Sequence, residues 1–187
     1  LYGPGKTGQM GVYAEGSRDQ LASFDGNHMI VTPALSYLHT DTTLQALDRT
    51  RYLELAAERN AKAEQKGVAE GDLKALPEEA TAEERRPLRT KIAALAEEMD
   101  TLSAAMRDCY RWQVDCDYPL SLMATGSAVI AGGAAGVAAY STADGEQLWT
   151  GEVDGLAFGL AAANGRVYVS TDAGAIHCFA DASMASR

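Results

Sequence analysis

The sequence contains no apolar run of the roughly 18 residues that a membrane-crossing helix needs, and no charged leader followed by an apolar stretch. It opens at Leu1 in a Gly-rich stretch, as expected of part of a longer protein. Cysteine is scarce. Cys109, Cys116 and Cys178 stand without CxxC or CxxCH spacing, which excludes a zinc ribbon and an attached haem by pattern. They read as small buried apolar residues, with a Cys109–Cys116 disulfide as the alternative. Histidine is equally sparse: His28, His39 and His177 lack metal-ligand spacing. His39 and His177 fall at nearly equivalent strand positions, which points to a shared structural role. Basic residues are rare outside one segment. The formal charge is 16 − 26 = −10, and 11 of the 16 Lys and Arg lie between Arg49 and Asp108. The segments rich in Gly and β-formers therefore lack the clustered cations that nucleic acid or an anionic membrane requires.

Three unlike segments remain: 1–48 and 109–187 read as β, and 49–108 as helix. Gly in the middle segment is confined to Gly67 and Gly71 among Ala, Glu, Leu, Lys and Arg, all strong helix formers. Leu88, Ile92, Leu95, Met99, Leu102, Met106 and Cys109 follow at steps of 4, 3, 4, 3, 4 and 3, a heptad seam. Thr81 with Glu84 forms a potential capping box, although Pro87 would then lie deep in the helix, so a start at Pro87 is the competing reading. A first helix is expected from about Asp48 to Lys66, with Tyr52, Leu55, Ala56 and Ala63 inward. The stretch from Gly67 to Ala80 is the expected turn. The product is an antiparallel helical hairpin. Its seam is expected to bury itself within the hairpin, with a coiled coil to another chain as the sharper alternative, for which Arg59 and Lys62 leave room.

The β segments repeat. Gly126–Tyr140 aligns without a gap on Gly165–Phe179 at an offset of 39, Trp112 and Trp149 recur at 37, and Val114-Asp115 answers Val153-Asp154 at 39. A third copy, Ser36–Asp48, matches Val167–Ala180 with one residue deleted in the turn, pairing Tyr37 with Tyr168 and Leu44 with Ile176. A β repeat near 40 residues is the spacing of propeller blades. The helical segment then interrupts one blade between its third strand and the strand beginning at Tyr110. Asp115, Asp154 and Asp172 fall at blade turns, where Asp satisfies backbone amides.

Residues Ala139–Trp149, AYSTADGEQLW, resemble the eleven-residue tryptophan-docking motif AxDxxTGxxxW of the PQQ-like repeat family of bacterial β-propellers. Ala139, Gly145, Glu146 and Trp149 match it, while Ser141 and Asp144 depart from its Asp and Thr. The resemblance covers 109–180 well and 25–48 moderately. It implies a mainly β chain: a partial propeller of about three blades with an inserted helical hairpin, out of rings of seven or eight. It assigns Ala139, Gly145, Glu146, Trp149 and Trp112 to docking between blades. It further implies partners in the remaining blades of the parent chain and a periplasmic or cell-envelope setting. Family enzymes hold PQQ with calcium along the axis, using a stacking Trp and a catalytic Asp. No such cofactor residues are evident in this stretch, and both tryptophans fall at docking positions. The expected function is a non-catalytic protein-interaction scaffold, with Leu88, Ile92, Leu95, Met99, Leu102 and Met106 as the candidate partner surface. A fragment of a quinoprotein alcohol dehydrogenase, with its cofactor residues elsewhere in the parent, is the alternative, and an architectural linker domain a third. In Gly3–Gly8, GPGKTG, the leading glycine of a phosphate-binding loop would have to precede Leu1, and the stretch that follows reads as strand and turn where that loop should open a helix.

Overall fold

A computed structural model describes residues 2–4, 9–16 and 18–180. Among the described residues the chain is mainly β, with three sheets and two helices. It divides into a helical unit, Arg49–Cys109, and a β unit made of Leu1–Asp48 and Tyr110–Arg187. Among the described residues no helix is long and apolar enough to cross a membrane.

In the helical unit, α1 spans Arg49–Ala75 and α2 spans Ala82–Arg107. The capping box sets the start of α2: Thr81 Oγ1 accepts from the Glu84 amide, and the Glu84 carboxylate accepts from the Thr81 amide at 2.7 Å. Pro87 therefore lies inside the helix and does not begin it. Helix α1 does not stop at Lys66. It runs on through Gly67 and Gly71, each costing about 1 kcal/mol against Ala, because its inner face continues to pack, with Ala69 fully buried. The turn shrinks accordingly, and Arg85 ties it down by donating to the carbonyls of Pro77 (2.7 Å) and Ala80 (3.1 Å). Arg59 Nε donates to Ser103 Oγ at 2.8 Å and Lys62 pairs with Glu98, which fixes the helices as antiparallel.

The β unit begins with a three-stranded sheet of β1 (Tyr2–Pro4), β2 (Gln9–Tyr13) and β3 (Gln20–Asp25). Of the GPGKTG stretch, only Gly3 and Pro4 fall within the described residues. A four-stranded antiparallel sheet follows, of β4 (His28–Val31), β5 (Ser36–His39), β6 (Thr43–Leu47) and β7 (Tyr110–Asp115), in sequential order. The first segment, expected to supply one partial blade, thus contributes to two sheets. Strands β6 and β7 pair directly, Leu47 opposite Tyr110, so the helical unit is spliced into one strand-to-strand connection. Asp48 and Arg111 close the splice with an ion pair at 2.6 Å.

Strands β8 (Ser121–Ala124), β9 (Ala128–Ser141), β10 (Gln147–Ala163), β11 (Arg166–Thr171) and β12 (Ile176–Ala180) pair in the order β12-β11-β10-β9-β8. Strand β9 doubles back on itself. The Thr142 amide bonds to the Ser127 carbonyl at 3.1 Å, joining residues at its two ends, and Ala135 takes φ 57° at the fold. Strand β10 changes layers after Glu152: its first part pairs with β9 and its second with β11. The ring of Trp149, in the first part, lies 5.5 Å from that of Phe179 in β12.

Register shows how the layers repeat. Ser121 pairs with Gly132 as His28 pairs with His39, so β8 and β9 reproduce β4 and β5 at 121 − 28 = 93 residues. Trp149 faces Ala139 as Trp112 faces Ala46, which preserves the offset of 149 − 112 = 37. Two features of the sequence alignment change. Over β9 and β11 the repeat is 38, not 39, because the turn between β11 and β12 carries one more residue than the turn at Ala134–Ala135. A one-residue slip moves every side chain to the opposite face, and only the 38-residue offset matches core to core: Val129 to Val167 and Ala131 to Val169. Val153-Asp154 does not answer Val114-Asp115; at the offset of 37, Gly151 and Glu152 do.

Alternate residues of β9 bury in two separate cores, which is why its sequence is apolar on both faces. Val129, Ala131, Ala138 and Tyr140 join Tyr37, Leu44, Ala46, Trp112 and Cys116 in the first interface. Ile130, Val137 and Ala139 join Val153, Ala157 and Val169 in the second. The first interface thus joins the β4–β7 sheet to β8 and β9, and the second is closed within the β8–β12 sheet, between β9 and β10–β12.

Candidate functional site

The docking residues come first. Ser141 to Glu146 form a tight turn, in which the Ser141 amide donates to the Glu146 carbonyl at 2.8 Å and the Gly145 amide to the Ser141 carbonyl at 3.0 Å. Asp144, in the place of the family's Thr, accepts from the Glu146 amide at 3.1 Å, and its bonds to Ser141 and Glu146 hold its pKa below the ordinary carboxylate value. Gly145 has φ 78° and lies against the Trp112 ring, so that a Cβ there would come within 2.7 Å of Cε3. Trp112 Nε1 donates to the Thr142 carbonyl at 3.2 Å. One layer's tryptophan is thereby seated on the turn of the next. Ala139 is fully buried, and Trp149, only half-buried, packs on Phe179.

Beside Trp112 lies a cluster that sequence reasoning missed. His39 Nε2 is 3.1 Å from Cys116 Sγ, and both residues are buried. The Tyr140 hydroxyl and the Tyr118 amide are directed at the same sulfur. Burial pushes the Cys116 thiol up, against the lowering pull of those two donors. It pushes the His39 imidazole down and, together with the bond to Cys116, raises the Tyr140 phenol. These directions are opposite to those of an activated nucleophile, which needs a stabilised thiolate and access to substrate. The cluster holds neutral groups together and acts as a polar tie within the first interface. His39 has no counterpart in His177: their strands differ, and the residue equivalent to His39 in β11 is Ser170.

The three cysteines are all free, and Cys109 and Cys116 are buried as expected. Cys178 is exposed, because it lies on the outward face of β12. The turn aspartates differ among themselves. Asp172 Oδ1 accepts from the Leu156 amide at 2.7 Å and anchors the entry to the second part of β10. The Asp154 amide donates to His177 Nε2 at 3.2 Å, so there the backbone, not the carboxylate, makes the bond. Asp115 lies within β7, opposite Thr43.

In the helical unit, Leu95 is buried while Leu88, Ile92, Met99, Leu102 and Met106 are half-buried. Arg59 and Lys62 are used within the hairpin, on Ser103 and Glu98. The bond to Glu98 raises the Lys62 pKa.

The Trp112 ring and N–H are committed to the turn at Gly145, Trp149 rests on Phe179, and no three His, Cys, Asp or Glu among the described residues converge as cation ligands. No protein-family model and no curated protein matches the chain.

Proposed function

We propose that the chain is a run of PQQ-like β-propeller blades acting as a non-catalytic protein-interaction scaffold, with the helical hairpin as its partner surface. The sheet β4-β5-β6-β7 is read as one complete blade and β8 to the first part of β10 as the next. The second part of β10 with β11 and β12 begins a third, and β1–β3 belong to a preceding one. Sequential four-strand order, the two packed interfaces and a tryptophan seated on the following turn support this reading. The remaining blades of the parent chain are the first partners it implies, and a bacterial cell-envelope setting follows from the same family reading.

The observation that carries the scaffold function is the splice at Leu47 and Tyr110. A 62-residue excursion (110 − 47 − 1) leaves the pairing of its flanking strands intact, so the unit it carries is an addition to the sheet and is available for a role of its own. The test is deletion of 49–108 with a short turn joining Asp48 to Cys109, combined with a photo-crosslinker at the exposed Val68 of the intact chain. A β unit that keeps its circular dichroism while the crosslinked partner is lost from pull-down supports the scaffold. Unfolding of the β unit on deletion would make the hairpin structural support. Titration of the parent chain with PQQ and calcium checks the enzymatic alternative, since stoichiometric binding with alcohol turnover would replace the scaffold reading.

A further inference from the structure

The two interfaces are equivalent in register but not in bulk. At the offset of 93 residues, Leu35, Tyr37 and Leu44 of the first interface correspond to Ala128, Ile130 and Val137 of the second. Each replacement is smaller. Beside them a groove of about 600 Å³ opens, within the size range of small-ligand sites. Met123, Ala128, Ile130, Trp149 and Val167 line it together with Arg166.

Arg166 is the second observation. In a β unit where Asp and Glu outnumber Lys and Arg, Arg166 is half-buried as a residue and forms no ion pair with a carboxylate among the described residues, whereas Arg111 pairs with Asp48. A guanidinium beside an apolar trough is complementary to a carboxylate on an apolar body, which it can bind through two parallel N–H bonds. The walls are mainly aliphatic, and Trp149 already spends one side on Phe179. The trough therefore suits a flexible alkyl chain better than a ring system.

We infer that the groove between the second and third layers is a binding site for a medium-chain aliphatic carboxylate, with Arg166 holding the carboxylate and Met123, Ala128, Ile130, Val167 and Trp149 covering the chain. The site lies wholly within the β unit, so its occupancy is independent of the scaffold role given to the hairpin.

Calorimetric titration of the whole chain with octanoate tests the site, with 1-octanol as the uncharged probe. The expected result is saturable binding of one octanoate per chain, weakened about tenfold or more in Arg166→Gln, the loss of one charge-assisted contact. Octanol is expected to bind at least as weakly to the wild type as octanoate does to that variant. Ala128→Leu, which restores the bulk of Leu35, should abolish binding while thermal unfolding shows the fold retained. Absence of saturable binding in the millimolar range, equal affinity for octanol, or octanoate binding indifferent to both Arg166→Gln and Ala128→Leu would each overturn the assignment.

Discussion

The first interface is built from large and polar-tipped side chains, the second from small ones, although both are framed by the same tryptophan facing the same alanine across a strand pair. In the first, Trp112 is buried, stands 5.9 Å from the Tyr37 ring and has its N–H satisfied by the next turn. The His39–Cys116 pair lies behind it. In the second, the equivalents of His39 and Cys116 are Gly132 and Val153. Gly132 is held there by close approach: a Cβ would come within 2.7 Å of the Ala157 carbonyl, to which Ser121 Oγ donates at 2.7 Å. One repeat framework thus supports two solutions, a tied and filled interface and a slim one that leaves a groove. The shared geometry is set by register and the difference by side-chain volume.

Truncation of the two tryptophans should break that pairing most severely. Trp112→Ala is expected to cost about 4 kcal/mol, because it removes a buried indole and leaves the Thr142 carbonyl unpaired. Trp149→Ala should cost roughly half as much, since that ring is half-buried. Urea unfolding of both variants measures the gap, and equal losses would show that the interfaces are energetically alike. Next in size is an acid effect confined to the first interface. The folded His39 imidazole titrates below its ordinary value of 6.5. Between the unfolded and folded values the unfolded chain binds more protons, so stability is full above the unfolded value and falls as pH is lowered through that window. Replacing His39 with Gln should flatten this slope in unfolding midpoints measured between pH 7 and pH 5.

Smaller effects separate the turns and the helices. Ala135 adopts φ 57° where the equivalent residue of the last hairpin is Gly174, at φ 78°. Ala135→Gly should therefore stabilise by about 1 kcal/mol, and Gly174→Ala should destabilise by a similar amount, both read from thermal melts. Thr81→Ala is expected to cost slightly less than 1 kcal/mol by removing the capping box. Its effect should appear as faster amide exchange in the first turn of α2, with the β unit unchanged.

The sequence was most legible where periodicity is long and local. The heptad seam and the tryptophan spacing of 37 could be read directly, whereas the capping box stood beside a competing start at Pro87. The end of α1 could not, because a glycine's intrinsic cost was weighed without the packing that offsets it at Ala69. The 39-residue alignment followed the tryptophan-docking stretch correctly into β12. It then carried β11 onto the wrong face, since one extra turn residue is nearly invisible in Gly- and Ala-rich strands. The His39–Cys116 pair escaped because its members are separated by the helical insertion. Structural register would have found it, by pointing to Gly132 and Val153 as the positions where the other layer omits the pair. The groove was equally hidden: smaller residues at Ala128, Ile130 and Val137 carry meaning only beside their counterparts in the first interface.

The splice between Leu47 and Tyr110 also has a kinetic consequence. In the next layer, β9 and β10 are joined through only five residues (147 − 141 − 1), whereas β7 must find β6 across 62. By loop-closure entropy that difference amounts to about 2 kcal/mol if the excursion is an open coil. Helix formation and pairing of α1 with α2 are local and fast, and they shorten the effective span before β7 adds to the sheet. The inserted unit is thus expected to act as a splint during folding, with β4–β6 forming early and β7 joining last, an order that Trp112 fluorescence in stopped-flow refolding would check.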